Sequence, residues 1–226
     1  MPSIGGPDRT NPEILTPLQQ LFMRGLFADA WFRQHFYLTG GTAVAAFYLF
    51  HRYSEGLDFF SHGVELTPIP ALIETVSTQL QVPAESVQSH RTFLRYRIGE
   101  DLKIDVVGDV EVRIGAPELR GDFMVDSLKN IAVNKVCTIL GRFDAKDYVD
   151  LFFILKENPF DIFDLLRLGQ QKDGGLEPFI WASLIADVTK LKVFPKMIRQ
   201  VTPEELHAFF LTLRDTILER LNPQAP

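Results

Sequence analysis

Two aspartates on short apolar stretches are the first candidates for chemistry in this chain. Asp58 lies within a predicted strand at residues 57–60, and Asp105 lies within another at residues 102–107. Carboxylates on neighbouring strands can hold Mg²⁺ against a phosphate, which is the arrangement that nucleotidyl transfer uses. We therefore predict that Asp58 and Asp105 are metal ligands. The alternative is that both are surface acids on strands.

A glycine turn precedes the first aspartate. Gly40, Gly41 and Thr42 separate an apolar strand at residues 36–39 from a predicted helix at residues 42–51. Glycine lets the backbone approach a phosphate without a Cβ atom in the way, and the N-terminus of a helix attracts anions. The turn is thus a candidate phosphate site, to which Thr42 would add a hydroxyl. The alternative is a tight strand-to-helix turn that binds nothing.

A third polar group follows in the second half of the chain. Lys135 and Arg142 are seven residues apart and share one face of a predicted helix, while Asp147 and Asp150 share a face of the next helix. Two basic residues near an anion site could bind phosphates, and the acids could orient them. The alternative is two solvated helix faces joined by a surface salt bridge.

These groups need a sheet to position the acids and helices to position the bases. We predict strands at residues 36–39, 57–60, 86–98 (one or two strands), 102–107 and 111–114. We predict helices at residues 17–34, 42–51, 68–80, 126–140 (with Asp126 as its cap), 145–156, 162–170, 176–192 and 203–221. The predicted fold class is therefore α+β, with a small mixed sheet flanked by helices in residues 1–117 and a helical domain in residues 118–226.

Charge and cysteine content limit the partners and the location. The net charge of −6 excludes a surface that binds nucleic acid as a whole, so RNA would need a local basic strip, for which Arg91, Arg95, Arg97 and Lys103 are candidates. The single cysteine, Cys137, cannot form an internal disulfide and is expected to pack as a small hydrophobe. We find no signal peptide in the first fifteen residues and no apolar run long enough for a bilayer. We therefore expect a cytoplasmic protein without membrane contact.

Through these three groups, the chain resembles the AbiEii/AbiGii toxin family of nucleotidyltransferases. That family is the toxin half of type IV toxin–antitoxin pairs and belongs to the DNA-polymerase-beta-like nucleotidyltransferase superfamily. The matching stretches are LTGGTAVAAFY (38–48), HRYSEGLDFFS (51–61), LKIDV (102–106), IAVNKV (131–136) through GR (141–142), and AKDYVDL (145–151). Their order and spacing match from about residue 18 to residue 160, and the last third matches only as a run of helices.

The resemblance implies a sheet of the nucleotidyltransferase type and a role for each matching residue. The implied catalytic residues are Asp58, Asp105, Lys135 and Asp147, of which the first two would bind the metal. The implied nucleotide-binding residues are Gly40, Gly41, Thr42, Arg52, Ser54, Lys135, Lys146 and Asp150. For Arg52, a structural tie between helix and strand is the alternative. The implied cofactor is Mg²⁺ or Mn²⁺, and the implied partners are an NTP, an RNA acceptor such as tRNA, and an antitoxin protein.

The chain departs from the family at Gly56. The family has an Asp–hydrophobic–Asp motif, because acids at i and i+2 share one strand face, but this chain has Gly56, Leu57 and Asp58. Three outcomes are open: a weak enzyme with one metal, a substitute carboxylate from Glu55 through a β-bulge, or nucleotide binding without transfer. Two functional hypotheses result. One is nucleotidyl transfer from Mg²⁺–NTP to an acceptor, and the other is a degenerate member that binds a nucleotide or a partner protein.

Overall fold

The structure, a computed structural model, describes residues 14–61, 63–108 and 112–222. The chain forms two compact units, Met1–Leu128 and Lys129–Pro226. The first unit contains a seven-stranded mixed sheet with flanking helices, and the described part of the second is helical apart from its loops. The predicted α+β class, a mixed sheet followed by C-terminal helices, is confirmed.

Four helices and seven strands make up the described part of the first unit. The helices are α1 (Pro17–Ala28), α2 (Ala30–His35), α3 (Gly40–Val44) and α4 (Ile69–Leu80), and a π-helical turn (Ala45–Leu49) continues α3. The strands are β1 (Phe36–Thr39), β2 (Gly56–Ser61), β3 (Ala84–His90), β4 (Phe93–Ile98), β5 (Leu102–Val107), β6 (Glu118–Arg120) and β7 (Phe123–Val125).

The strand order in the sheet is β3-β4-β5-β2-β1-β7-β6. Strand β1 pairs antiparallel with β2 and parallel with β7, while β2 pairs parallel with β5. The pairs β3–β4, β4–β5 and β6–β7 are antiparallel hairpins. The strands that carry Asp58 and Asp105 are therefore central neighbours, β2 and β5.

One face of this sheet is apolar and covered by helices. Alternate residues of β2, including Leu57 and Phe59, are fully buried. Phe27 of α1 and Phe32 of α2 contact the Phe59 ring edge-on, at centroid distances of 5.9 and 5.3 Å. Because side chains alternate along a strand, the residues between these buried positions point to the opposite face, where the polar groups lie.

Five helices and a 3₁₀ turn form the described part of the second unit. They are α5 (Leu128–Gly141, whose first residue ends the first unit), α6 (Ala145–Glu157), α7 (Ile162–Lys172), α8 (Pro178–Ile185), the 3₁₀ turn (Ala186–Lys190) and α9 (Pro203–Leu221). Buried Trp181 donates its indole N–H to the Val136 carbonyl at 2.9 Å. Burial raises the pKa of Cys137 to about 11, which keeps the thiol protonated and fits its expected packing role.

Three of the predicted helices are interrupted, and the one at residues 176–192 is α-helical only over Pro178–Ile185 before its 3₁₀ turn. The predicted helix at residues 17–34 divides at Asp29, whose carboxylate accepts a hydrogen bond from the Phe32 N–H at 2.8 Å and so caps α2. The predicted helix at residues 42–51 begins earlier, at Gly40, becomes π-helical after Val44, and ends where Phe50 adopts a left-handed φ of 52°.

The strands after residue 107 differ from the prediction. Residues 112–114 form no strand, and residue 111, where the predicted edge strand begins, lies outside the described residues. Instead β6 and β7 form a hairpin that joins the sheet beside β1. The first unit thus extends past the expected boundary at residue 117, as far as Leu128. Asp126 lies inside this extension, and its carboxylate accepts a hydrogen bond from the Thr39 hydroxyl at 2.7 Å.

In the part of the chain that the structure describes, no helix combines the length and apolar character needed to span a bilayer.

Candidate active site

Four side chains at matching positions of four strands form a polar row. Thr39, Asp58, Asp105 and Arg95 follow one another in register across β1, β2, β5 and β4. Side chains at paired positions point to the same face of a sheet, and neighbouring strands lie about 4.8 Å apart. The two predicted metal ligands are therefore side by side on the face opposite the apolar core.

Two basic side chains hold Asp105 within the polar row. The Arg95 guanidinium donates from Nε to Oδ1 and from Nη2 to Oδ2 of Asp105, both at 2.7 Å. Lys103, two residues before Asp105 on the same strand face, brings its Nζ to 3.2 Å from Oδ2. The hydrogen bonds to Asp105 raise the pKa of Arg95 above its ordinary value. Asp105 is thus fixed in place by a bidentate contact, which is the strongest geometry for such a pair.

Gly40 lies directly beside Asp58. Its φ of +71° is in the left-handed region, which glycine adopts without strain. A Cβ atom at this position would lie 2.5 Å from Oδ2 of Asp58, so any side chain would displace the carboxylate. Gly40 therefore both opens helix α3 and leaves room for one of the two aspartates.

The next residues tie the glycine turn to the segment before β2. Arg52 is buried, donates to the Tyr53 carbonyl at 2.9 Å, and places Nη2 where a Cβ atom of Gly41 would be. The buried Thr42 hydroxyl donates to the Gly56 carbonyl and lies 2.7 Å from the Ser54 hydroxyl. These contacts support the structural-tie alternative for Arg52, and they use the Thr42 hydroxyl internally.

Glu55 does not supply the carboxylate that is missing at Gly56. The register of β2 with β5 runs from Gly56 to Phe60 without a shift, so no β-bulge turns Glu55 toward Asp58. Glu55 is exposed and precedes the strand. Of the three outcomes considered from the sequence, substitution by Glu55 is therefore not observed.

The residues present fit one divalent ion that is shared with phosphates. Mg²⁺ is usually bound through one or two carboxylates, with water and substrate phosphates completing its shell. Asp58 and Asp105 meet that requirement, although Arg95 already contacts both oxygens of Asp105. Residues 14–61, 63–108 and 112–222 contain no group of three or more His, Cys, Asp or Glu side chains that could hold a metal. A pair of ions held by protein ligands alone does not fit.

The second unit contains an ion-pair network of buried Lys135, Asp147 and Asp150 with exposed Arg142, here called the Lys135 network. The Lys135 ammonium lies 2.8 Å from Oδ1 of Asp147 and 2.5 Å from Oδ2 of Asp150. Arg142, which is largely exposed, donates from Nε to Oδ2 of Asp147 at 2.7 Å. Burial acts to raise the pKa of the Asp147 carboxyl, but Lys135 and Arg142 outweigh burial and hold the pKa below its ordinary value.

The Lys135 network differs from the solvated helix faces that were the alternative at the sequence level. Lys135, Asp147 and Asp150 are all buried. Lys146, also predicted to bind nucleotide, is half-buried in the first turn of α6, next to the Asp144 cap. The contribution of these four residues to a nucleotide site stays a prediction.

Sequence reasoning missed two partners in the first unit. The pairing of Arg95 with Asp105 follows from the short turn between β4 and β5, which sets the hairpin register, so the signal was available. The hydrogen bond from Thr39 to buried Asp126 joins residues 87 positions apart, and no local pattern indicates it.

The predicted basic strip is largely neutralised by acids. Arg95 and Lys103 contact Asp105, and Arg97 forms an exposed ion pair with Glu85. Because three of its four members have acidic partners, the strip offers less free positive charge to RNA than the sequence indicated.

Solved structures with the same fold are known. JHP933 from Helicobacter pylori superposes with a TM-score of 0.58 at 19% identity, covering 92% of this chain and 91% of that one. MenT4, a nucleotidyltransferase toxin from Mycobacterium tuberculosis, gives a TM-score of 0.53 at 15% identity, covering 91% of this chain and 83% of that one. No curated protein sequence matches the chain significantly. At these identities the likeness shows the fold, which is that of nucleotidyltransferases.

The family of this chain is shown by a protein-family model that matches its sequence. The model described as nucleotidyl transferase AbiEii toxin, type IV toxin–antitoxin system, matches residues 21–220. The chain belongs to this AbiEii family of nucleotidyltransferase toxins, which confirms the resemblance that the motifs indicated.

Proposed function

We propose that this protein transfers a nucleotidyl group from an NTP to a hydroxyl group of an acceptor, such as the end of a tRNA or another RNA. Membership of the AbiEii family supports the reaction class. The single observation that carries the proposal for this chain is the register of Asp58 with Asp105, with Gly40 directly beside Asp58. Two carboxylates next to a glycine turn at a helix start match the needs of a phosphate-transfer site.

In this proposal the Gly40–Gly41 turn binds the phosphates through its backbone N–H groups, which come from the first helical turn and lack partners within the helix. The acceptor oxygen attacks the α-phosphate in line, a new O–P bond forms, and the bond to the departing pyrophosphate breaks. Asp58 is our candidate to receive the acceptor proton, because its carboxylate lies directly beside the Gly40 turn that would hold the phosphates.

A divalent ion, Mg²⁺ or Mn²⁺, held by Asp58 and Asp105 would supply positive charge to the phosphates. Arg52, Ser54 and Thr42 would act by shaping the turn, since their described contacts are internal. For Lys135 and its carboxylate partners, we propose that the buried ion pairs keep the helices of the second unit in a fixed arrangement. An antitoxin protein is the partner that the family description implies.

A second candidate function is binding without transfer. Gly56 favours it, because the acid pair on one strand face is reduced to Asp58 alone. The hold of Arg95 on Asp105 favours it as well, since a carboxylate with two such contacts has less capacity for a metal. In this reading the protein binds a nucleotide or a protein partner and does no chemistry.

The two candidates are separated by a labelling experiment. Wild-type protein, Asp58→Asn and Gly56→Asp are incubated with each radiolabelled NTP, Mg²⁺ or Mn²⁺, and total RNA. Asp58→Asn should lower RNA labelling at least about 100-fold, since even changes around a metal ligand cost about 10–100-fold. Asp101→Asn, at an exposed aspartate in the turn before β5, is the matched control and should label like wild type.

The Gly56→Asp variant is sterically reasonable. Its Cβ atom would lie 3.3 Å from the Lys103 carbonyl oxygen, which requires a shift of a few tenths of an ångström, and Gly56 does not have a left-handed φ. Labelling by wild type but not by Asp58→Asn supports transfer. RNA labelling by Gly56→Asp but not by wild type supports the binding function. No labelling by either of these two proteins would overturn transfer.

A further inference from the structure

The side chain of Lys103 lies beside the open position above Gly56. The two residues are paired in register on β2 and β5. A Cβ atom at Gly56 would lie 3.5 Å from Cε of Lys103 and 3.9 Å from its Cβ. The Lys103 stem therefore lies in van der Waals contact with the position from which a carboxylate at residue 56 would project, and its Nζ lies 3.2 Å from Oδ2 of Asp105.

The acids and the bases on this strand face are equal in number. Asp58 and Asp105 contribute two negative charges, while Arg95 and Lys103 contribute two positive ones on the same strand face. A divalent ion entering beside Asp105 would meet the Lys103 ammonium at close range, and like charges repel most strongly where water is partly excluded. The Lys103 side chain is about half exposed, so its ammonium remains accessible to a ligand.

We propose that Lys103 supplies, beside Asp105, part of the positive charge that a metal ion would otherwise bring, and that its ammonium binds the polyphosphate of the nucleotide. This rests on the proposed nucleotide site and adds a specificity-determining residue to it. At Gly56 no side chain extends into the space beside the Lys103 stem.

The proposal predicts that removing the Lys103 charge changes two affinities in opposite directions. Removing the Lys103 charge takes away a ligand for phosphate, so polyphosphate binding without metal becomes weaker. The same change removes a charge that repels a cation, so binding of a divalent ion to Asp58 and Asp105 becomes tighter. A purely structural role of Lys103 would weaken both kinds of binding or neither.

The experiment uses the full chain and four variants: Lys103→Met, Gly56→Asp, both together, and Arg97→Met. Tripolyphosphate and the four NTPs are titrated calorimetrically in EDTA, and Mn²⁺ binding without nucleotide is followed by electron paramagnetic resonance. Lys103→Met should bind tripolyphosphate about tenfold more weakly and Mn²⁺ about tenfold more tightly, as expected for one half-exposed charge near its partner. The double variant should bind Mn²⁺ most tightly of all.

Arg97→Met is the matched control, because Arg97 neighbours Lys103 in register but pairs with Glu85. It should change either affinity less than about twofold, since exposed pairs contribute little. Unchanged or jointly weakened binding in Lys103→Met would overturn the inference. If wild type binds neither tripolyphosphate nor any NTP, the proposed nucleotide site fails together with the phosphate role. The Mn²⁺ titrations would still decide whether Lys103 opposes a metal beside Asp105, whatever the outcome of the RNA labelling.

Discussion

Two clusters of ion pairs in this protein are built from the same chemical groups but differ in their access to water. In the first unit, the Arg95 and Lys103 side chains that hold Asp105 are 34% and 51% exposed. In the second unit, the Lys135 side chain is 6% exposed and that of Asp147 is completely buried. In the first cluster the basic partners reach water, and in the second the lysine and both acids are buried.

The difference indicates which cluster can change partners. Asp105 is itself buried, but Arg95 and Lys103 reach water, so each base can be solvated when it leaves the carboxylate and can yield to a ligand. Charges in a buried pair cannot be solvated in this way, and removing one partner leaves the other charge buried without a counter-ion. We therefore assign ligand binding to the pairs on the sheet and fold stability to the Lys135 network.

Breaking the buried cluster should have the largest effect. Lys135→Met leaves Asp147 and Asp150 buried without their ammonium, and we expect a loss of about 3–5 kcal/mol in the free energy of unfolding. Urea denaturation at pH 7 measures it. Arg142→Gln, which removes an exposed partner of Asp147, should cost about 1 kcal/mol or less. Equal losses of unfolding free energy in Lys135→Met and Arg142→Gln would contradict the distinction between buried and exposed partners.

Substitution at Gly40 tests the geometry beside the exposed cluster. Gly40→Ala combines a left-handed φ with a clash against the Asp58 carboxylate, and we expect a loss of about 1–3 kcal/mol. Gly63 has the same φ of +71° but no atom within 4 Å of an added Cβ, so Gly63→Ala isolates the cost of the backbone alone. Thermal unfolding compares the two. If Gly63→Ala is as costly as Gly40→Ala, the contact with Asp58 plays no part.

Acid should weaken the buried cluster in a specific pH range. The pKa of Asp147 is held below its ordinary value of 3.8, so its contribution to stability is complete above that pH. It is lost as the pH falls through the lowered pKa, because the unfolded chain binds the proton first. Unfolding free energies measured between about pH 2 and 5 should rise less steeply with pH in Asp147→Asn than in wild type. If the unfolding free energy of Asp147→Asn rises with pH as steeply as that of wild type, Asp147 does not contribute to the pH dependence of stability.

The smallest effect is expected where both partners are exposed. Arg97→Gln removes the ion pair between β4 and Glu85 of the edge strand β3, and we expect a change of less than about 1 kcal/mol. Urea denaturation at low and high salt measures it, and any difference should shrink as salt screens the charges. A salt-independent loss above this range would mean that the exposed pairs also carry stability.

Much of the sheet could be predicted because its signal is local. Leu102, Ile104 and Val106 alternate with Lys103 and Asp105, and the structure confirms that division of faces in β5. Alternation over six residues is enough to define a strand whose one face is buried. The position of Asp58 beside Asp105 is expected from the arrangement that nucleotidyl transfer uses, and the register of β2 with β5 agrees with it.

The features that could not be predicted from the sequence depend on contacts between distant parts of the chain. Strand β7 has only three residues, and its parallel pairing rests on the register of Leu38 with Val125. The π-helical turn at Ala45–Leu49 has a sequence that suits an α-helix equally well. The burial of Lys135 likewise results from packing within the second unit, whereas the sequence alone left its helix face open to a solvated interpretation.

The late return of the chain to β1 decides where the protein can be cut. After β7, the Asp126 N–H donates to the Leu38 carbonyl at 2.8 Å, so residues beyond the apparent end of the sheet region still pair with a central strand. A fragment that stops at residue 117 would leave one side of β1 as a bare edge, a template for association between copies. A fragment that continues to Leu128 keeps that edge paired and is the better choice for expressing the sheet by itself.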